Sequence, residues 1–361
     1  MAAIAADVDV ERSLRSSATG TTRSAADGAG RVPVIDMSQS DAAEAMWAAA
    51  TSVGFFTVVN HGVPDELIEN AFASSKQFFA RDLDAKQRES PFAPQLNSGF
   101  EYFSQIRPST GTADQKESLQ ITAREGAMDG RWPAEPEALQ PVARAMMEAS
   151  QRLAARILDM LEPRACPNLA PGTLQKSHTL WGQGGQCTLR LLHYPPTAPP
   201  EVDSGLWRAG PHTDWCCVTL LYQLPGPRAA SGPIYGVSRR WRKRGRLTDP
   251  PRTGHEGLEC AANPRAGAGQ SGWLRVDPVA GGVAVNIGDM LSRWADGRVL
   301  SNLHRVRTPT GAECGRPRQS IAFFMQADKE ALIESSGETI TAGDYILGRI
   351  RSNFAAKFGD K

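Results

Sequence analysis

The first thing the chain lacks is a run of about 18 apolar residues, so no transmembrane helix is expected. It has almost no net charge: the formal value is +1, which gives no general footing for binding nucleic acid or a membrane surface. Cysteine is sparse, with six in 361 residues (Cys166, Cys187, Cys216, Cys217, Cys260, Cys314) and no C-x-x-C pair. That spacing excludes a dense disulfide framework and fits a reducing cytosol. No basic start leads into an apolar stretch, so a secretory signal is not expected. Residues 11–30 are rich in Ser, Thr, Ala, Gly and Arg, as transit peptides are, but Asp7, Asp9, Glu11 and Asp27 count against one. Residues 1–30 read as a disordered tail.

Hydrophobic residues make up 41% of the chain, enough for a sizeable core. Order is expected from Arg31, with Val32-Pro33-Val34-Ile35-Asp36 as a first strand. Ser38 or Ser40 is placed to cap a helix over Ala42–Thr51, which Gly54 ends. Phe55–Val59 reads as a second strand. Pro64, Asp65 and Glu66 open a helix carrying Leu67, Ile68, Ala71, Phe72, Phe78 and Phe79. A longer helix is predicted over Pro136–Leu161. After Gln183 short apolar runs alternate with glycine and proline: Cys187–Leu192, Cys217–Tyr222, Gly282–Ile287 and Gln319–Met325. Short strands at that density suggest a sandwich, jelly roll or barrel. A C-terminal helix is predicted near Ala342–Phe358. The expected division is thus a tail over 1–30, an N-terminal helical region over 31–165 and a β core over 166–361.

Residues 225–272 interrupt that core. They are rich in Gly, Pro, Ala and Arg, and they include six basic residues in eight at 239–246. Without those six charges the net would fall from +1 to −5. The segment reads as a disordered solvated insertion. The other readings are a nuclear-localisation or nucleic-acid patch, or retained non-coding sequence translated in frame.

Three side chains carry the chemistry. His212-Thr213-Asp214 sets two potential ligands at i and i+2, which share one side of an extended backbone. His304 follows 90 residues later, as a ligand on a distant strand would. Two imidazoles and one carboxylate, with no thiolate, favour a non-haem Fe(II) that keeps open positions over a closed structural zinc. His61, His178, His193 and His255 lack ligand-like company and read as structural or solvent-exposed. Downstream, Arg318 and Ser320 share a strand face with Ala322 and Phe324, while Ile321, Phe323 and Met325 share the other. A guanidinium on so apolar a strand needs an anion, either an internal carboxylate or a bound one. Tyr194 offers a phenol to complete such a clamp.

Taken together, these residues resemble the Fe(II)/2-oxoglutarate-dependent dioxygenases of the isopenicillin N synthase-like superfamily. The resemblance runs through Val32–Asp36, Gly54–Val63, Leu189–Pro195, His212-Thr213-Asp214, Asn286–Leu291, His304-Arg305-Val306 and Arg318–Ile321. It implies a double-stranded β-helix (distorted jelly roll) core with an N-terminal helical region. It implies iron on His212, Asp214 and His304, with 2-oxoglutarate on Arg318 and Ser320 and Tyr194 nearby. It also implies oxidative decarboxylation of 2-oxoglutarate to succinate, coupled to hydroxylation, desaturation or cyclisation of a small organic molecule by O₂. Ascorbate would be a supporting reductant. The family usually runs directly from a Leu-Gln to a Gly-Leu-Gln pattern, whereas here Leu221-Tyr222-Gln223 and Gly257-Leu258-Glu259 stand apart. Two rivals remain open: an iron oxidase of the same superfamily that does not use 2-oxoglutarate, and a catalytically silent binding protein on this fold. A cytoplasmic monomer is expected, with no membrane or nucleic-acid partner. Trp215, Trp294, Phe100, Tyr102 and Phe324 are aromatic candidates for the substrate pocket.

Overall fold

The structure, a computed structural model, describes residues 32–107, 109–197, 206–224, 257–262, 272–309 and 314–353. The tail, the basic run at 239–246 and His255 lie outside these residues. Two sheets make the frame. The larger joins β1 (Val34–Asp36), β2 (Phe55–Val59), β10 (Gly282–Ile287), β7 (Val218–Gln223), β12 (Arg318–Met325), β5 (Thr188–Tyr194), β4 (Glu117–Thr122) and β3 (Gly99–Tyr102) in that order. The smaller joins β6 (Ala209–His212), β11 (His304–Val306), β8 (Leu258–Ala261) and β9 (Trp273–Arg275). A hairpin of β13 (Leu332–Ser335) and β14 (Glu338–Thr341) stands apart.

Alternation along the strands decides which layer each side chain enters. On β12, Ile321, Phe323 and Met325 join the main core, while Ala322 and Phe324 face the second sheet, as their spacing predicts. The main core lies between the outer face of the large sheet and the helices α1 (Ala42–Ser52), α2 (Asp65–Phe79) and α4 (Leu139–Ala165). Helix α4 lays Leu139, Met146, Leu153, Ile157 and Leu161 in one buried stripe, the 3.6-residue pattern of an amphipathic helix. A smaller cluster fills the space between the sheets: Phe55, Leu192, Tyr194, Leu258, Cys260, Leu274, Ala284 and Val306. This is the jelly-roll cup expected from the sequence.

Several details differ from the sequence reading. Residues 258–261, inside the segment expected to be a disordered insertion, form β8, which pairs with both β11 and β9. Leu258 and Cys260 alternate into the cup, and that burial holds the strand in place. The pairing beside the site is therefore intact on both flanks: β7 lies between β10 and β12, and β8 lies in the small sheet. The N-terminal region is helical but also contributes β1 to β4, half of the large sheet. Neither Ser38 nor Ser40 caps α1; Asp41 sits at the cap, and Ser38 instead bonds the Asp36 carboxylate at 2.7 Å. Helix α4 starts three residues after Pro136 and runs four beyond Leu161. Helix α7 (Ala342–Asn353) is described as far as 353. Gly54 follows α1 with a positive φ of 73°, and a Cβ there would lie 2.1 Å from the Leu300 carbonyl oxygen, so only glycine fits. Among the described residues no helix is long and apolar enough to cross a membrane.

Candidate metal and co-substrate site

His212 is the last residue of β6 and His304 the first of β11. The two are direct register partners across the antiparallel pair. That pairing brings their rings to 4.1 Å between centroids. Asp214 lies just past the end of β6, not on the extended strand the i, i+2 spacing suggested. The chain bends there, and Asp289 donates its backbone N–H to the Asp214 carbonyl at 2.7 Å. Gly288 permits this approach, because a Cβ on it would lie 2.1 Å from the Cys216 carbonyl oxygen.

One potential ligand atom from each of His212, Asp214 and His304 falls within 4.8 Å of the others, and all three residues are buried. Asp214 Oδ1 is 3.8 Å from His212 Nε2, and Oδ2 is 3.7 Å from His304 Nε2. The second oxygen is fixed by the Thr219 hydroxyl at 2.6 Å and by Asn286 Nδ2 at 2.8 Å. The Gly210 carbonyl lies 2.7 Å from His212 Nδ1, so that nitrogen carries the proton and Nε2 keeps its lone pair toward Asp214. Burial, with Arg107 and His304 close by, pushes the His212 imidazole well below its usual range, which keeps it neutral and able to ligate. Two imidazole nitrogens and a buried carboxylate around one point fit a ferrous ion, and the donor set contains no thiolate.

Arg318 opens β12 on the cup side, with only 2% of its surface exposed. It donates to Ser320 Oγ at 3.2 Å and to Gln223 Oε1 at 3.0 Å, and its guanidinium lies 5.0 Å from the Tyr194 ring centre. Among the described residues it has no carboxylate partner. The internal Asp or Glu that would have satisfied it is therefore absent from them. Burial lowers its pKa and Tyr194 opposes the shift, but a guanidinium remains a cation. The predicted trio of Arg318, Ser320 and Tyr194 is thus brought together, opening on the same cavity as the triad.

Sequence reasoning missed Gln223, Thr219 and Asn286 as supports. The signal for all three is alternation: Thr219 and Gln223 share the face of β7 that carries Leu221, and Asn286 is two residues from Ala284 on β10. It also missed the cations Arg107, Lys116 and Arg190, which line the cavity. Of the aromatic candidates, Trp215 and Phe324 line the cavity. Phe100 and Trp294 pack in the main core, and Tyr102 is exposed. His61 and His178 are buried away from the triad, and His193 pairs with Glu117 at 2.7 Å.

Comparison with known proteins agrees with this geometry. Residues 32–141 match the family described as non-haem dioxygenase in morphine synthesis N-terminal, and residues 248–327 match the 2OG-Fe(II) oxygenase superfamily. The chain is 30% identical over 308 residues to the 2-oxoglutarate-Fe(II) type oxidoreductase hxnY of Emericella nidulans, covering 81% of this chain and 75% of the relative. It is 28% identical to the gibberellin 2-beta-dioxygenase 2 of Oryza sativa subsp. japonica, covering 86% of this chain and 78% of that one. A full-length Neurospora crassa structure in complex with alpha-KG and 5-formyluracil superposes with a TM-score of 0.66 at 25% identity, covering 89% of this chain and 96% of the other. A rice dioxygenase for auxin oxidation shares the fold (TM-score 0.63, 22% identity, 90% and 96% covered). The chain therefore belongs to the 2-oxoglutarate- and Fe(II)-dependent oxygenase superfamily, as an oxidoreductase that couples oxidation of a small organic molecule by O₂ to decarboxylation of 2-oxoglutarate.

Proposed function

We propose that His212, Asp214 and His304 hold the ferrous ion and that Arg318, Ser320 and Tyr194 receive the far carboxylate of 2-oxoglutarate. The observation that carries this reading is the convergence on one buried point of two donor groups two residues apart and a third 90 residues further on. Iron with 2-oxoglutarate bound supplies the oxidising chemistry, releasing CO₂ and succinate. The chain's own residues hold and orient. Asp214 acts as a ligand and not as a general base, because Thr219 and Asn286 already donate to its second oxygen. Arg318 and Ser320 fix the co-substrate's outer end, and Gln223 keeps the guanidinium aimed. Phe55, Leu192, Leu221 and Ala322 line the cavity with apolar surface and keep bulk water from the reacting centre.

Every residue in these two sets comes from position 194 onward. We therefore read 166–361 as the unit that does the chemistry and 31–165 as the wall beside it. One chain carries both sets, so the site needs no second copy, and we keep the monomer as the working assembly. Its six free thiols support a reducing, cytosolic location. The test is metal analysis and a succinate assay on Asp214→Ala. The variant should retain no stoichiometric iron and lose at least a hundredfold in succinate formation, whereas undiminished succinate would end the assignment.

A further inference from the structure

We propose that the substrate to be oxidised carries a carboxylate and that Arg190 binds it, at the end of the cup away from Arg318. This rests on the assignment of Arg318 to 2-oxoglutarate.

The first argument is position. Arg318 pairs across the sheet with Tyr194, and Arg190 pairs with Ala322, four residues along β5 on the same face. That is a separation of roughly 13 Å. A five-carbon dianion with one end at Arg318 and the other at the metal cannot also reach Arg190.

The second is charge. The ferrous ion and Arg318 are balanced by Asp214 and the 2-oxoglutarate dianion. Three further cations line the same cavity: Arg107, Lys116 and Arg190. Asp114 answers two of them; Arg107 meets it at 2.8 Å, and Lys116 donates to the same oxygen. The other Asp114 oxygen accepts from the Gly210 N–H at 2.9 Å, so this carboxylate is fully engaged. Among the described residues Arg190 donates only to the neutral amide of Gln120, at 2.6 Å, and Gln120 passes the bond on to Glu101 at 3.2 Å. Glu101 is the carboxylate that favours its charge most, ahead of Asp214 and Asp114, and it meets the guanidinium through an amide. Glu117, on the same strand as Gln120, faces the opposite side and is taken by Lys86 and His193. Among the described residues, the only carboxylate lining the cavity is Asp214, already assigned to iron.

The third is an unmet donor. Among the described residues Arg190 Nε is buried without a hydrogen-bond partner, while the guanidinium lies 5.2 Å from the ring centre of Phe324. A buried N–H of a cation left unmet is costly, and a carboxylate oxygen is the acceptor that suits it. Phe324, Leu192 and Trp215 beside it offer apolar contact for the rest of an organic acid.

The test is calorimetric binding to the iron-loaded protein, with 2-oxoglutarate saturating and O₂ excluded so that nothing turns over. The probes are matched pairs of acid and amide: acetate and acetamide, hexanoate and hexanamide, phenylacetate and phenylacetamide. At least one acid should bind tenfold or more tightly than its amide. Arg190→Gln should bring that pair within twofold of one another, Arg190→Lys should restore part of the preference, and both should leave 2-oxoglutarate affinity within twofold. Acids and amides alike in the wild type, with neither favoured, would overturn the proposal. So would an acid preference that survives Arg190→Gln and vanishes in Arg318→Ala. Failure of 2-oxoglutarate to bind at all would instead strike the assignment of Arg318.

Discussion

Arg318 shows how a single residue can be read as a question with two answers. A cation on a buried strand must meet an anion, and a sequence cannot say whether the protein or a ligand supplies it. The structure gives the guanidinium a hydroxyl, an amide and an aromatic face, all neutral. The task left to it is binding a carboxylate, and that sets the expected phenotype. Arg318→Ala should raise the KM for 2-oxoglutarate by about tenfold to a hundredfold, the range for losing a charge-assisted pair, with kcat at saturating co-substrate reduced far less. Initial rates of succinate release across a 2-oxoglutarate series check this. An unchanged KM with a collapsed kcat would place Arg318 elsewhere in the chemistry.

Helix α7 supports the metal loop from outside. Arg349, on its inner face, lies 3.4 Å from Asp289 and 3.5 Å from the Thr213 hydroxyl, with its guanidinium 5.6 Å from the Trp215 ring centre. Asp289 in turn accepts from Thr213 at 2.8 Å and from Ser301 at 2.6 Å. A helix more than a hundred residues downstream thereby braces the peptide between two proposed ligands. Arg349→Met should weaken iron binding about tenfold, as loss of a residue that orients ligands does. It should also lower stability by roughly 3 kcal/mol, because Asp289 keeps its charge without its cation. Iron titration and urea unfolding of the metal-free variant measure the two effects separately. At this scale the sequence was legible where alternation is clean, as in β10 and β12, and silent where it is not. Strand β4 (Glu117–Thr122) is buried at all six positions although it carries Glu117, Ser118, Gln120 and Thr122. Its polar residues gave no strand signal because their partners are remote: Lys86 for Glu117, and Glu101 and Arg190 for Gln120. The missed strands are also those that bring Gln120 and Glu101 toward the cavity.

Across the whole molecule, the cup and the ligand set could be anticipated because His-x-Asp, a distant His and Arg-x-Ser are separated by strand-like runs. The cationic end could not, since it depends on β3 and β4 reaching the large sheet. The molecule also has a global acid sensitivity away from the site. His178 is buried against Leu174, whose carbonyl is 2.5 Å from its Nδ1, and burial pushes its pKa down to about 4. The unfolded chain takes up a proton near pH 6.5, whereas the folded one does so only near 4. Stability is therefore full above pH 6.5 and falls as pH drops through that window, by about 2 kcal/mol at pH 5 from this group alone. Urea midpoints at pH 7 and 5 should show the loss, and His178→Gln should remove about this share of it, leaving what His61 and His212, also lowered by burial, contribute. The carboxylates held low, Asp36 at about 2 among them, act below this window.

The cross-strand pairing of His212 with His304 couples assembly to metal uptake. The two imidazoles meet because β6 and β11 place His304 directly opposite His212, ahead of a register shift between His304 and Val306, and a slip of one residue at that point would turn one of them out of the cup. A chain that has collapsed but not closed its small sheet in that register cannot present both nitrogens. Iron stoichiometry in a fresh preparation then counts correctly closed molecules, and sub-stoichiometric loading that survives excess ferrous salt measures the misregistered fraction.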